Sequence, residues 1–157
     1  MNSKKKEYDL ICSLGGNCSA AHNLRYRNMR YFSLPFDWCF MVNEMPIEKL
    51  TECLKENTLF KIAQKENLIP LNEEEEKFVA LHSSAFNYKD TFSEYYFVNH
   101  FRKKISEGGY EDFRKKFEKR LSRFQEYIEK SNSILFILTT RINFREDILL
   151  NLKNTLF

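Results

Sequence analysis

The chain has 157 residues, of which 43% are hydrophobic and 30% charged, and its formal net charge is +3. This length is typical of one domain with a sizeable core, so we expect residues 1–157 to form a single domain. The composition is that of a soluble globular protein, so we do not expect a disordered chain. Basic residues number 25 and acidic ones 22, and this small surplus gives no reason to expect nucleic acid as a partner.

Membrane spans, leader peptides and metal sites are not indicated either. No stretch approaches the roughly 20 apolar residues of a transmembrane helix, and no apolar run follows the basic start MNSKKKEYDL, so we expect no membrane partner and a cytoplasmic location with reduced thiols. The four cysteines form no CxxC pair and have no histidine at zinc-finger spacing. We therefore expect neither a metal nor a cofactor.

The first elements that the sequence predicts are a strand and a helix. Residues 8–13 are mostly apolar, which predicts a short buried strand, and Gly15 and Gly16 predict a tight turn after it. Helix formers from Ser19 to Met29 predict a helix, for which Asn17 is a suitable N-cap. The unit is a strand, a turn and a helix.

Cys18 stands where this predicted helix opens, and its position has two interpretations. Unpaired N–H groups and the positive dipole end of a helix favour the thiolate, which is how a nucleophile is made. A free cysteine after a glycine-rich turn can equally be a small buried apolar residue. The turn itself could hold a phosphate on its backbone amides, although neither GxGxxG nor GxxxxGK[ST] is present.

The segment from Arg30 to Met41, RYFSLPFDWCFM, is rich in aromatic residues and contains Pro35. We expect a strand or an extended loop there, close to the Cys18 turn. Asp37 has only apolar neighbours in sequence, so it needs a partner. It is either a helix cap or turn former, or an orienting group in a site.

Three further helices are predicted: residues 44–57, 110–130, and 143 to the end of the chain. The middle one is the clearest, because six apolar residues recur along it at steps of three and four. Its other faces carry many basic residues interleaved with glutamates. These are either solvent-facing charges with i,i+4 partners or a basic groove for an acidic ligand.

Strands are predicted at residues 78–81, 95–98 and 134–140. The last is apolar at consecutive positions, as a central strand covered on both faces would be. His100 falls at the end of the second, where a strand can present a side chain to a cleft. Strands and helices alternate at both ends of the chain, which predicts an α/β fold with a layered mixed or parallel sheet flanked by helices.

Four segments together resemble a bacterial domain family of unknown function whose members are described as papain-like cysteine peptidases. They are the turn from Leu14 to Ala21, the PFDW run from Pro35 to Trp38, His100-Phe101, and the basic helix and strand from Phe117 to Ile137. The resemblance covers roughly residues 8–140. The cysteine turn together with PFDW is its most specific part.

The resemblance implies that Cys18 is the nucleophile and His100 the base. A neighbouring imidazole stabilises a thiolate and can then protonate a leaving group. His22, at i,i+4 from Cys18, and His82 compete for the same role. By chain order Asn143 or Asp147 would orient the base, and out of order Asp37 would do so; we include Asp37 among the predicted catalytic residues.

We therefore predict a cysteine hydrolase that acts on a peptide or other acyl substrate. Backbone amides at Asn17 and Cys18 would stabilise the oxyanion, and Gly16 and Asn17 would contact substrate. The competing hypothesis is a non-catalytic α/β module that binds an anionic or sugar-phosphate ligand through the glycine-rich turn.

Overall fold

The structure is a computed structural model that describes residues 7–79, 86–140 and 142–156. Within these residues it has a two-stranded parallel sheet, a four-stranded antiparallel sheet and five α-helices around them. The predicted α/β class, with a mixed set of strands flanked by helices and Cys18 at a strand-to-helix turn, is confirmed.

The elements have the following bounds. The helices are α1 Ser19–Tyr26, α2 Met45–Glu56, α3 Glu73–Val79, α4 Gly109–Lys130 and α5 Glu146–Leu156. The strands are β1 Leu10–Ser13, β2 Cys39–Phe40, β3 Leu68–Pro70, β4 Phe86–Asp90, β5 Tyr96–Phe101 and β6 Ile134–Ile137. Short 3-10 helices connect some of them.

The parallel sheet joins the two ends of the chain, with Leu10 opposite Ile134 and Ser13 opposite Ile137. The prediction that β6 is a central strand is wrong. In the described part of the chain it pairs only with β1, and all four of its residues are half-buried. Alternate residues of the strand, Ile134 and Phe136, pack against the main core.

The antiparallel sheet has the order β2-β5-β4-β3, and β5 contains the predicted strand at 95–98. The prediction of a strand at 78–81 is wrong for residues 78 and 79, because these are the last two residues of α3. Asn72 caps α3: its Oδ1 accepts from the N–H groups of Glu74 and Glu75, and the Glu75 carboxylate accepts from the Asn72 N–H. This reciprocal cap favours a helix. Residues 80–81 lie outside the described ranges.

The long helix α4 confirms the helix predicted at 110–130 and supplies much of the core. Its buried side chains follow one face at steps of three and four; they are Phe113, Phe117, Leu121 and Phe124. Phe124 packs edge-on against Phe36, which stacks on Tyr95. The Tyr95 hydroxyl donates to the Leu14 carbonyl at 3.0 Å, so this cluster ties the antiparallel sheet to the end of β1.

Candidate active site

A cavity of about 540 Å³ opens between the turn after β1, strands β2 and β5, and helix α4. Cys18, Trp38 and Phe40 form one part of its wall. Strand β5 and the residues beside it contribute Val98, Asn99, His100 and Arg102, and α4 contributes Phe113, Lys116, Phe117 and Arg120. The cavity thus brings together Cys18 and His100, which are 82 positions apart in sequence.

Cys18 is the N-cap residue of α1, and its side chain is exposed. The interpretation of Cys18 as a buried apolar residue is therefore wrong. All four cysteines are free, and the other three are at most 1% exposed. Asn17, the predicted N-cap, stands one residue earlier, and its Oδ1 accepts from the Ser19 N–H at 2.8 Å. The only cysteine thiol that reagents in water can reach is the one in the cavity.

The predicted substrate-binding residues Gly16 and Asn17 are fastened to the segment after β6. A β-carbon on Gly16 would lie 2.0 Å from the Thr139 carbonyl oxygen, and the glycine has φ of +91°. The Asn17 side-chain amide donates to that oxygen at 3.1 Å, while the Thr139 hydroxyl donates to Asn17 Oδ1 at 3.0 Å. Both polar atoms of the Asn17 side chain therefore serve to fix the turn. Only the backbone of Asn17 is left to contact a substrate.

Three consecutive backbone N–H groups stand beside the thiol. Within the described residues, the N–H groups of Gly16, Asn17 and Cys18 donate to no backbone or side-chain oxygen, whereas those of Gly15 and Ser19 on either side have acceptors. Unpaired donors at the start of a helix attract negative charge.

His100 is held on β5 by two aromatic rings and one carbonyl. Phe97 and Phe113 meet the imidazole edge to face, at 5.4 and 5.8 Å between ring centres. The Trp38 backbone carbonyl acts on the ring and raises the pKa of His100 against the effect of burial, and Nε2 is buried without a partner. A neutral ring that carries its proton on Nδ1 has a free lone pair on Nε2.

Burial lowers the pKa of His100 to about 3, with the charge of Arg120 acting in the same direction and the Trp38 carbonyl opposing both. The ring is thus neutral at pH 7 and accepts a proton only when a donor reaches Nε2. The Cys18 sulfur is outside hydrogen-bond reach of Nε2 in this state. Catalytic contacts are often long before substrate binds.

Of the two competing histidines, the structure describes one. His22 is exposed on α1 and does not line it. His82 lies outside the described residues. Asn143 and Asp147 do not line the cavity either.

Asp37 is buried close to the site but does not line the cavity. Its Oδ2 accepts from the Arg30 guanidinium and from the Leu34 N–H, the latter at 2.9 Å, while Oδ1 is buried without a partner. Burial raises the pKa of the Asp37 carboxyl, against the opposing effects of Leu34 and Arg30. Asp37 has no hydrogen bond to His100; it holds the turn that ends at Trp38.

The remaining polar side chains of the wall are Asn99, Arg102, Lys116 and Arg120, and the Trp38 carbonyl lies beside His100. None of these was predicted as a site residue; Lys116 and Arg120 belong to the basic faces of the helix that were interpreted either as solvent-facing charges or as a groove for an acidic ligand. A signal for two of them was present, because Phe113, Lys116, Phe117 and Arg120 are spaced i, i+3, i+4 and i+7 and so share one helix face. No sequence signal exists for the carbonyl.

None of the helices in the described part of the chain combines the length and the hydrophobicity of a membrane span. No group of three or more His, Cys, Asp or Glu side chains in that part of the chain is placed to hold a metal ion.

A family model with the description "Putative papain-like cysteine peptidase (DUF1796)" matches residues 9–155. The match includes both Cys18 and His100. No curated protein and no solved structure is similar enough to this chain to count as a match.

Proposed function

The chain belongs to the domain family described as putative papain-like cysteine peptidases, and from that premise we propose that it is a cysteine hydrolase. Cys18 is the nucleophile and attacks an amide or thioester carbonyl. The observation that carries the proposal is the cavity itself: the only exposed cysteine of the chain and a histidine with a free Nε2 lone pair share its wall.

His100 acts as the base in this proposal. Its Nε2 takes the thiol proton as the Cys18 sulfur bonds to the carbonyl carbon, and the imidazolium then gives that proton to the departing amine or thiol as the carbon–heteroatom bond breaks. Water hydrolyses the resulting thioester by the reverse proton path. Because the resting ring is neutral, proton transfer accompanies attack and does not precede it as a stored ion pair.

The oxyanion of the tetrahedral intermediate needs donors close to the sulfur. The unpaired N–H groups of Asn17 and Cys18, with that of Gly16 beside them, supply candidates on a turn that Thr139 holds rigid. Donors fixed in advance need no reorganisation during the reaction, which is why this arrangement supports the proposal.

Asp37 is a positioning residue in this scheme. It binds Arg30 and the Leu34 N–H, and thereby fixes the turn whose last residue, Trp38, offers its carbonyl to His100. The carboxylate acts on the imidazole through this turn.

The test is the rate at which iodoacetamide alkylates Cys18. We expect the second-order rate constant at pH 6 to exceed that of a neutral model thiol at least tenfold, because His100 can take the thiol proton and the N–H groups at the start of α1 stabilise negative charge as the sulfur attacks. Mass spectrometry identifies the site, and Cys18→Ala is the control. A rate equal to that of the model thiol would refute the activated nucleophile.

The competing hypothesis of a binding module has one observation in its favour, the unpaired N–H groups. Gly16 weighs against it, because its missing side chain makes room for the Thr139 carbonyl of this chain. Raised thermal stability with inorganic phosphate, together with an unreactive Cys18, would favour the module over the hydrolase.

A further inference from the structure

The cavity beside Cys18 is electrostatically one-sided. Arg102, Lys116 and Arg120 lie in its wall, and no acidic side chain of the described residues does. None of the three makes an ion pair or a hydrogen bond with another described residue. Three positive charges therefore face one space without a counter-charge in it.

Two cations of α4 outside the cavity have partners in the protein. Arg114 pairs with Glu118 at 2.8 Å and also donates to the carbonyls of Ile62 and Phe60. Lys130 pairs with Glu126 at 2.7 Å. The lysines Lys115 and Lys119 outside the cavity and Lys116 inside it are exposed and have no such partner among the described residues. Arg120 therefore differs from the other cations of α4, because it is both half-buried and unpaired.

Arg120 is the most informative of the three because it is half-buried. Asp37 acts on it electrostatically, yet that carboxylate already accepts from Arg30. One carboxylate between two guanidinium groups leaves a net positive charge. A guanidinium withdrawn from water without a bonded partner is unfavourable unless an anion compensates it.

The remaining wall sets the size and shape of an occupant. Trp38, Phe113 and Phe117 contribute aromatic surface, and about 540 Å³ is ample for a side chain with the backbone around it. An occupant placed there also lies beside the Cys18 sulfur.

We propose that the acyl substrate of this protein is anionic, and that its carboxylate or phosphate group binds Arg120, Lys116 and Arg102 while its carbonyl is presented to Cys18. The inference rests on the proposed function and adds the substrate class to it. Guanidinium groups bind both anions through paired N–H donors, so carboxylate and phosphate are the two sources that the test separates.

The test compares two alkylating agents of nearly equal size that differ in charge, iodoacetate and iodoacetamide. We expect the ratio of their rate constants at Cys18 to be about tenfold higher than at a neutral model thiol in low salt, and to fall as salt is added. Because the other three cysteines are buried, the label reports on the cavity alone.

Paired variants separate the cavity from the overall charge of the protein. The double variant Arg102→Gln/Lys116→Gln should lose most of the elevated ratio. Lys115→Gln/Lys119→Gln makes the same change of charge at exposed positions of α4 that do not line the cavity, and should keep it. Both cavity residues in the first variant are exposed, so we expect it to fold.

Peptides then identify the anion. Short capped peptides that differ only in a central glutamate, phosphoserine or glutamine are tested for protection of Cys18 against iodoacetamide at matched ionic strength. Protection by the glutamate or the phosphoserine peptide, but not by the glutamine peptide, supports the inference and names the source.

Two outcomes would overturn the inference. One is a ratio equal to that of the model thiol, or one lowered equally by both double variants; the other is equal protection by all three peptides. If iodoacetamide labelling is rapid in either case, the proposal of a cysteine hydrolase is still supported. Slow labelling would refute that proposal as well. The two failures are therefore distinguishable.

Discussion

His100 shows how a single residue can be prepared for chemistry by its surroundings. Two aromatic rings and a carbonyl fix its orientation, and burial keeps the ring neutral. A base of this kind takes up no proton from water at neutral pH. In the proposed mechanism it responds to a group that arrives inside the cavity, which would couple proton transfer to substrate binding.

Asp37→Asn tests the proposed positioning role. The amide keeps the shape of the side chain but cannot form an ion pair with Arg30, whose side chain is only 8% exposed. We expect a loss of about 3 kcal/mol in the free energy of unfolding. We also expect faster solvent exchange of the His100 Nδ1 proton, measured by NMR, because the turn that ends at Trp38 loosens.

Glu118→Gln is the matched control for that experiment. It makes the same chemical change in the ion-pair partner of Arg114, and the Glu118 side chain is 57% exposed, so we expect a loss of less than about 1 kcal/mol. An unchanged Nδ1 proton in folded Asp37→Asn would show that Asp37 does not act on His100.

At the scale of elements, the β1–α1 turn depends on a close approach that only glycine permits. Gly16→Ala would place a β-carbon 2.0 Å from the Thr139 carbonyl oxygen, whereas Gly108 has a similar φ of +83° and open space around it. We expect Gly108→Ala to cost about 1 kcal/mol, from backbone conformation alone, and Gly16→Ala at least about 3 kcal/mol. Urea unfolding measures both.

Comparing Gly16→Ala with Gly108→Ala separates the cost of the steric contact from the cost of backbone strain. Equal losses in the two variants would mean that the Thr139 segment moves aside easily, and that the turn beside Cys18 is not held rigid. That result would weaken the oxyanion role proposed for its amides.

Elements with a strong apolar period could be predicted from the sequence. The helix at 110–130 and the helix at 44–57 are examples, because each buries one face against the core. The predicted helix from Ser19 ends at Tyr26 instead of Met29, since Asn28 adopts a left-handed conformation with φ of 53°. Boundaries depend on such single residues.

Elements whose type depends on what packs around them could not be predicted from the sequence. An apolar run such as residues 134–137 is the same in a central strand and in the outer strand of a two-stranded sheet, because the difference lies in what packs on each face. Similarly, residues 78 and 79 are of types that favour a strand. They are helical instead, because Asn72 caps the start of a helix that extends through them. Tertiary packing and capping decided these cases.

The candidate site was predictable in part. The family resemblance implied Cys18 and His100, whose predicted places at a helix start and a strand end agree with those roles, and the two residues line one cavity. The cations Lys116 and Arg120 share a helix face with Phe113 and Phe117, but a sequence does not show which charges find partners. That question needs the positions of all surrounding groups.

At the scale of the whole molecule, the neutral His100 makes stability depend on pH. Its pKa is about 3 in the folded protein, against an ordinary value near 6.5. Between these values the unfolded chain binds a proton that the folded protein does not, so the free energy of unfolding falls as the pH decreases through this window, by up to about 1.4 kcal/mol per pH unit. Above pH 6.5 the imidazole is neutral in both states, and the free energy of unfolding no longer depends on its protonation.

Comparison with His100→Gln isolates this effect. We expect the wild type to lose about 2 kcal/mol more than the variant between pH 7 and pH 5, in urea unfolding. The carboxyls of Asp37 and Asp90, whose pKa values burial raises, act in the opposite direction in both proteins and cancel in the difference. Parallel pH profiles would contradict the buried neutral imidazole.

The same unfolding curves test the predicted single domain. Circular dichroism reports on all the helices, whereas fluorescence reports on the one tryptophan of the chain, Trp38. Coincident transitions indicate one cooperative unit, and separate transitions would divide the chain.

That tryptophan has a second use, because it forms part of the cavity wall and has the Arg30 guanidinium 5.7 Å from its ring. Indole emission shifts when the polarity or charge beside the ring changes. The emission of Trp38 should therefore report whether the cavity is occupied. Compound collections could be titrated against this signal without a dye, a tag or any knowledge of the reaction.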